Sequence, residues 1–408
     1  MNRRRVLLII PNLGNGGAQR VFHQQLTKLS LHYDVTGCTF NWDGLLPGES
    51  NERILSLNVP AGNSYVSKLA YFLLRIVRLK RLKARLGIDV AISHLEGADY
   101  VNVLSGTSRT ICWIHGSKKF DQNIGGIIGF IRQRFLMPLV YKRADHIAVV
   151  SNGIAAEMKY YLQQSDVPVS VVFNGFDISK IKADGSEPSN AMERFHSENL
   201  VITHCRLSRQ KNIEALLMIF HQSLKELKGK LILVGDGELR ENLIALSTSL
   251  GLRTWTVWSE SDMSAEYDVY FMGHQANPLK FLRHATVYVM TSLWEGFPLA
   301  LCEAIILGVP VISSDCPTGP KEILLDFLSP TKRSDGPISS PFGVLMPMVT
   351  VTDSQLIAVW SSVLNSMLNS ATFKVPDKSL DNLFTKLDID RNIGLTIDVI
   401  NATLRRKR

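Results

Sequence analysis

No window of about 18 apolar residues free of charge occurs in this 408-residue sequence, so no helix is expected to cross a membrane. Cysteine is scarce. Cys38, Cys112, Cys205, Cys302 and Cys316 are odd in number, widely spaced and never in a C-x-x-C pair, which argues against a disulfide framework or a zinc site and for a reducing, cytoplasmic setting. Compositionally biased stretches are missing too, so with 45% hydrophobic and 20% charged residues the chain is expected to fold throughout. Residues 1–13 place three arginines before an apolar run, as a signal peptide would. The run at 6–10 is too short for that role, and Pro11 and Gly14 break it, so a buried first strand is the expectation.

What charge there is leans positive. A net charge of +8 suggests an anionic partner: nucleic acid, a lipid surface or a phosphorylated substrate. Residues 66–85 read as a helix with Leu69, Phe72, Leu73 and Ile76 on an apolar stripe and Lys68, Arg75, Arg78, Arg81 and Arg85 mostly on another side. Arg132, Arg134, Lys142 and Arg143 flank a second apolar stretch at 124–140. Apolar faces edged with base suit an anionic lipid surface, at about 1 kcal/mol for each basic residue near it. Solvated charge on the back of an ordinary packed helix fits the same pattern. No nucleic-acid-binding motif accompanies the charge, and no nucleic-acid partner is expected.

The length favours two domains. In the first half, short apolar runs at 6–10, 35–40, 90–93, 110–114, 147–150 and 169–173 alternate with helical patterns; the second half restarts at 200–204 and continues at 231–234, 269–272, 287–290 and 309–313. Strands alternating with helices imply parallel sheets covered on both faces. The expected fold class is therefore α/β, two Rossmann-like, doubly wound halves facing across a cleft, with ligands outside the carboxyl ends of the strands. Residues 177–197, polar and carrying Gly185 and Pro188, form the best linker candidate. The last thirty or so residues read as helical, either packed back across the domain junction or left as a solvated end.

Three segments carry residues suited to chemistry. Gly14-Asn15-Gly16-Gly17 follows the first strand and precedes the first helix, where bare backbone can approach a phosphate and offer N–H groups; a tight turn without a ligand fits equally. Arg206 lies just past the strand at 200–204 and Lys211 five residues on, near a helix start, so a guanidinium and an ammonium can hold a diphosphate and stabilise it as a leaving group; a solvated surface pair is the plain alternative. Glu295 and Glu303 flank Gly296-Phe297-Pro298-Leu299-Ala300-Leu301-Cys302. With a helix starting near Pro298, Glu295 sits in the preceding loop and Glu303 more than one turn inside, so two strong acceptors can reach different parts of one diol-rich ligand. A helix-dipole partner and a solvated carboxylate are the plain alternatives for this pair.

In order, Gly16-Gly17, His115-Gly116, Ser151-Asn152, Asn174-Gly175-Phe176-Asp177, Arg206 to Lys211, Gly235-Asp236-Gly237 and Glu295 to Glu303 resemble the family 4 glycosyltransferases, retaining enzymes of the GT-B fold, over nearly the whole chain. Residues 314–324 and 342–345 look like the branch that builds bacterial surface polysaccharides and oligosaccharides, lipopolysaccharide included. The resemblance implies an acceptor-side domain at 1–185, a nucleotide-sugar domain at 186–375 and a helical tail at 376–408. It implies retaining transfer of a hexose or N-acetylhexosamine from a UDP-sugar to a glycan acceptor, lipid-linked, by a cytoplasmic enzyme peripheral on the inner face of the plasma membrane.

By the same resemblance, Glu303 accepts from the ribose hydroxyls and Glu295 from a hydroxyl of the transferred sugar, with Phe297 and Leu299 beside them in the donor site. Arg206 and Lys211 hold the diphosphate, Gly16 and Gly17 line its other side, and His115 lies beside the reacting sugar. No cofactor is implied, the nucleotide-sugar being a substrate. No metal is implied either, since Arg206, Lys211 and helix N-termini supply positive field. The one D-x-D, Asp388-Ile389-Asp390, falls in the tail and reads as solvated. Gln19 and Cys205 depart from the family pattern, which often has glutamate at the first position and glycine at the second. Residues 254–268 look longer than the family's usual connection and have no assigned role. Two other classes share these features: a GT-B sugar-nucleotide epimerase, which needs no acceptor, and a non-catalytic sugar-nucleotide-binding subunit of an assembly complex, which has no need to keep Arg206, Lys211, Glu295 and Glu303 together.

Overall fold

The structure, a computed structural model, describes residues 3–14, 16–42, 53–120, 126–195, 198–259, 262–263, 266–325, 327, 333–369 and 373–406, without the side chains of 127 and 128. The chain divides into two compact units, Met1–Gly175 with Ile389–Arg408, and Phe176–Asp388.

In the first unit, β1 (Arg5–Ile10), β2 (Asp34–Thr39), β3 (Ile54–Ser56), β4 (Val90–His94), β5 (Arg109–Ile114), β6 (His146–Val149) and β7 (Val169–Val171) form a sheet in the order β3-β2-β1-β4-β5-β6-β7. Every pairing is parallel; Ile9 of β1 lies opposite Cys38 on one side and Ser93 on the other. Val6 to Ile10 are fully buried because β1 is central and covered on both faces, which is why that run shows no alternation. The helices are α1 (Gly17–Leu29), α2 (Tyr65–Leu86), α3 (Glu96–Ser105), α4 (Gly126–Ile131), α5 (Met137–Tyr141), reached through one π turn at Arg132–Leu136, and α6 (Asn152–Tyr161). A Ser64/Ser67 capping box starts α2, and Gly87, in the left-handed region at φ 60°, stops it. Leu79 and Leu82 of α2 and Ala98 and Val101 of α3 pack with Leu7 and Ile9 in one core.

The second unit opens with α7 (Ile178–Gly185) and repeats the plan. β8 (Leu200–His204), β9 (Lys230–Val234), β10 (Thr254–Thr256), β11 (Val269–Phe271), β12 (Val287–Met290), β13 (Val311–Ser314), β14 (Ile338–Ser340) and β15 (Gly343–Met346) lie in the order β10-β11-β9-β8-β12-β13-β15-β14, parallel except for the β14–β15 edge. Its further helices are α8 (Ile213–Ser223), α9 (Arg240–Ser249), α10 (Leu279–Leu282), α11 (Leu299–Ile306), α12 (Pro320–Leu324), α13 (Ser354–Asn369) and α14 (Asp377–Leu387). Leu216 and Phe220 of α8 and Trp360 and Leu364 of α13 bury the sheet residues Val201, Leu233, Phe271 and Val287. The strand order reverses beside β1 and beside β8, so the two switch points fall at β1/β4 and β8/β12.

Three expectations are corrected. Residues 177–197 are no linker: the Asp177 carboxylate caps α7 by accepting from the Lys180 N–H at 2.9 Å, Gly185 packs on Leu307, and Asn277 donates to the Asp184 carbonyl at 2.8 Å. Gly185 and Pro188 mark the end of that docked helix; residues 196 and 197 lie outside the described ones. The boundary consequently falls between Gly175 and Phe176 rather than after 185, because α7 belongs with the second unit. The tail 376–408 is not one element. Helix α14 stays with the second unit, where the Phe176 N–H donates to the Leu387 carbonyl and Phe176 bridges Asp388. The final helix, α15 (Ile389–Arg405), belongs to the first unit, burying Ile393 and Ile400, with Asp390 2.7 Å from Lys28 Nζ. Within the D-x-D, Ile389 is buried and Asp388 half-buried, while Asp390 keeps 73% of its side chain exposed. Among the described residues, no helix is long and apolar enough to cross a membrane.

Candidate active site

At the second switch point, loops from the carboxyl ends of β8 and β12 interlock. Past β8 the chain makes a single 3-10 turn, Arg209–Lys211, and Asn212 takes a left-handed conformation at φ 53°. Its Nδ2 donates to the carbonyls of Thr291 and Val349 at 3.2 and 3.0 Å, while Thr291 Oγ1 donates to the carbonyls of Lys211 and Asn212 at 3.1 and 2.9 Å. Gln210 Nε2 donates to the Trp294 carbonyl at 2.7 Å, and the Leu293 N–H donates back to the Gln210 carbonyl at 2.8 Å. These bonds fix the backbone from which Lys211 extends.

Lys211 Nζ stands 2.6 Å from Glu295 Oε1, with 21% and 7% of the two side chains exposed. Burial alone would lower the lysine pKa; the adjoining Glu295 carboxylate outweighs it and raises the value, so the ammonium stays charged. Glu303, one turn inside α11, is buried, and its Oε2 accepts from His204 Nε2 at 2.7 Å. Helix α11 starts at Leu299 behind Pro298, as the spacing predicts, so Glu295 lies in the loop and Glu303 in the helix. With no acidic residue in its first turn and no side-chain cap, α11 presents a positive end beside both carboxylates. Phe297 is buried, and Leu299, the first helical residue, is half-buried. Thr318 Oγ1 donates to the Glu295 carbonyl, and the chain returns at Gly319, φ 91°, where a Cβ would meet Pro298 Cδ at 2.6 Å. Glu303 is thus not a solvated carboxylate, and Glu295 is buried in the loop that leads into α11.

Arg206 goes elsewhere. Its side chain is 72% exposed and contacts Glu238 at 3.0 Å, so the structure does not bring it to Lys211. The loop that carries it is nonetheless tight: the Leu207 N–H donates to the Asp236 carbonyl at 3.0 Å, and Gly235, φ 136°, leaves no room for a Cβ, which would fall 1.9 Å from the Cys205 carbonyl oxygen.

The first unit holds the remaining candidates at the ends of β1, β4 and β5. Gly16 is the extended N-cap of α1, which has no acidic residue in its first turn and no side-chain cap, and Gly17 is its first residue; Asn15 lies outside the described residues. Gln19, the departure from the family pattern, donates from Nε2 to Asn12 Oδ1 at 2.9 Å, and the same oxygen accepts from the Gly14 N–H at 3.3 Å, so it braces the glycine loop. His115 follows β5, and its Nε2 lies 2.8 Å from Nδ1 of His94 at the end of β4, with the rings stacked at 5.1 Å. Burial, helped by His94 and Lys118, pushes the His115 pKa well below the ordinary histidine value. Next to this pair, Arg132 clasps Glu96 through Nε and Nη2, with Lys118 Nζ 3.3 Å away. Despite the unfavourable burial, these cations hold the Glu96 carboxyl at about 2.

Sequence reasoning missed His94, His204, Glu96 and Lys118. For His204 a usable signal existed, since it is the last residue of a strand that ends at a switch point. Arg132, read as basic edging for a lipid surface, is instead buried against Glu96.

A family model described as Glycosyltransferase Family 4 matches residues 15–180, and one described as Glycosyl transferases group 1 matches residues 187–329. The Campylobacter jejuni N-acetylgalactosamine-N,N'-diacetylbacillosaminyl-diphospho-undecaprenol 4-alpha-N-acetylgalactosaminyltransferase is 25% identical over 329 residues, 78% of this chain and 83% of that protein. The lipopolysaccharide 1,6-galactosyltransferase of Salmonella typhimurium is 26% identical over 212 residues, 51% of this chain and 53% of its own. The solved structure of Anabaena HepE in complex with UDP superposes with a TM-score of 0.71 at 16% identity, over 98% of this chain and 100% of that one, a likeness of fold.

Proposed function

Because this chain belongs to the family 4 glycosyltransferases and has their GT-B pair of Rossmann-like units, we propose that it moves a hexose or N-acetylhexosamine from a UDP-sugar to a lipid-linked glycan, with retained anomeric configuration, in the assembly of a bacterial surface polysaccharide. The observation that carries the reading is the pair of buried contacts at one switch point, Lys211–Glu295 and His204–Glu303, beside the uncapped start of α11. Glu303, anchored by His204, accepts from the ribose hydroxyls. Glu295 accepts from a hydroxyl of the sugar. Lys211, kept charged by Glu295, meets the diphosphate, which the exposed Arg206 reaches by leaving its surface contact with Glu238. By the family resemblance, Gly16, Gly17 and His115 are assigned to donor binding as well.

Cleavage of the bond between the anomeric carbon and the phosphate oxygen leaves negative charge on UDP, and Lys211, Arg206 and the helix N-termini stabilise it. The acceptor hydroxyl attacks on the face that UDP leaves, and a phosphate oxygen of UDP takes its proton, so no protein nucleophile and no metal is required. The acceptor class is supported by the Campylobacter relative, named for a diphospho-undecaprenol-linked substrate, and the lipopolysaccharide setting by the Salmonella relative.

We place the enzyme at the inner face of the plasma membrane. Tyr65, Val66, Leu69 and Leu73 on α2, and Phe130, Ile131, Phe135 and Leu139 on the segment from α4 to α5, are exposed apolar side chains near exposed Lys68, Arg81, Arg85, Arg134, Lys142 and Arg143. Arg75 and Arg78 do not serve this surface: Arg75 donates to the Pro60 carbonyl at 2.8 Å and Arg78 to the Leu57 carbonyl at 2.6 Å, pinning the chain after β3. Phe72 and Ile76 lean on the core, and residues 124 and 125 of the second stretch lie outside the described ones. Screening a panel of UDP-sugars for donor hydrolysis in excess EDTA tests the donor and the metal reading together. Release of UDP from one sugar is expected. Activity that appears only with added magnesium or manganese would sink the metal-free mechanism, and silence with every UDP-sugar would sink the donor assignment.

A further inference from the structure

His94 has no place in the account so far, yet it is completely buried and one of its nitrogens is committed to His115. Its ring stacks on His115 and on Trp113 at 6.1 Å and meets Phe22 edge-on at 5.8 Å, so it cannot turn to seek another partner. The other nitrogen, Nε2, is shut off from water and has no hydrogen-bond partner among the described residues.

A neutral imidazole carries one proton. If His115 donated across the 2.8 Å contact, the proton of His94 would have to sit on Nε2 as a buried N–H without an acceptor, which is rarer in folded proteins than an unfilled acceptor. If His94 donates from Nδ1, only a bare lone pair is left at Nε2. Burial keeps the rings uncharged, His94 being pushed down to about 3, and the ammonium of Lys118 further disfavours a charged His115.

We infer that His94 is a positioning residue: it donates from Nδ1 to His115 Nε2 and so fixes His115 as the tautomer with its proton on Nδ1. The group offered past the end of β5 is then a neutral N–H donor of fixed direction, suited to a hydroxyl oxygen of the transferred sugar and unable to act as a base at Nε2. His115 is partly exposed, and its Nδ1 has no partner among the described residues, which leaves that donor available to a ligand. The role in sugar recognition rests on the proposed donor site; the tautomer does not.

Nuclear magnetic resonance of the full chain with 15N-labelled histidine reads the tautomer directly, with His115→Gln used to identify the His115 signals. The parent protein is expected to show His115 protonated at Nδ1 and bare at Nε2. Replacing His94 with Phe should release that preference. His94→Asn, whose amide N–H reaches the former Nδ1 position, should keep it. With the cognate donor, kcat/KM should fall about tenfold in His94→Phe and return to within about twofold of the parent in His94→Asn, the size expected for one hydrogen bond. A parent spectrum with His115 protonated at Nε2 overturns the inference even if every variant fails to fold. Equal turnover of the Phe and Asn variants overturns it too. If sugar transfer itself is never observed, the tautomer result still stands or falls alone.

Discussion

Replacing Lys211 with methionine separates what this residue does for the fold from what it does for a ligand. The parent pair is 2.6 Å apart, and the carboxylate partner is 93% covered, so the variant strands a buried negative charge on Glu295. Breaking a buried pair in this way costs about 3–5 kcal/mol, and the lower end applies because a fifth of the lysine side chain reaches water. For a unit of this size, about 3 kcal/mol corresponds to a fall in Tm of roughly 6–12 °C. The double variant Lys211→Met, Glu295→Leu removes the stranded charge and should recover most of that loss. Affinity for UDP should behave differently. The single variant loses a charge-assisted bond to phosphate worth about 1.5–3 kcal/mol, a roughly 10- to 100-fold rise in Kd by calorimetry, and the double variant should not regain it. A Tm within a degree of the parent would refute the buried-pair reasoning, and an unchanged UDP affinity in either variant would refute the diphosphate role.

Three further outcomes are expected. Glu303→Ala should weaken UDP binding by about 1.5–3 kcal/mol, since the ribose diol loses a charged acceptor; equal affinity by calorimetry would remove the ribose assignment. Asp99, fully buried and accepting from Ser93 Oγ and Tyr141 Oη, has its pKa pushed up to about 7 by burial. The folded chain therefore holds a proton that the unfolded chain releases near pH 4, and the stability contribution of this group falls as pH rises from about 4 to about 7. Asp99→Asn, which cannot ionise, should flatten the urea-unfolding stability over that window, and an unaltered pH profile would contradict the shift. Exchanging Phe130 and Phe135 for serine and Lys68, Arg81 and Arg85 for glutamine should release the protein from anionic vesicles with its Tm nearly unchanged, because all five side chains are exposed. Sedimentation with vesicles equal to the parent's would show that this is not the docking face.

The alternation of buried runs with amphipathic segments was enough to read both parallel sheets, because central strands such as β1 are covered on both faces and must be apolar throughout. Short edge strands such as β3 and β14 carried too few apolar residues to register. Helix α7 resembles a linker in sequence because it buries only Ile181 and Gly185, too few to leave an apolar stripe. Residues 254–268 proved to hold β10 and the approach to β11, with residues 260, 261, 264 and 265 outside the described ones; their role stays unassigned. Around α11, the loop position of Glu295 and the helical position of Glu303 were legible from the spacing about Pro298. Their partners were harder: His204 sits 99 positions from Glu303 and His94 sits 21 from His115, and only strand order makes either pair neighbours. The basic residues of α2 show the limit of periodicity, for Arg75 and Arg78 have the pattern of a charged face and yet spend their guanidinium groups on backbone carbonyls.

The proposed chemistry predicts one stereochemical fact. When the chain is incubated with a UDP-sugar that it uses and a polyprenyl-diphosphate-linked glycan, the first product formed, examined by proton NMR at the new anomeric centre, should keep the anomeric configuration of the donor, with one UDP released per sugar transferred. A product of the opposite configuration would contradict front-face departure and attack, and transfer without stoichiometric UDP would contradict the donor itself.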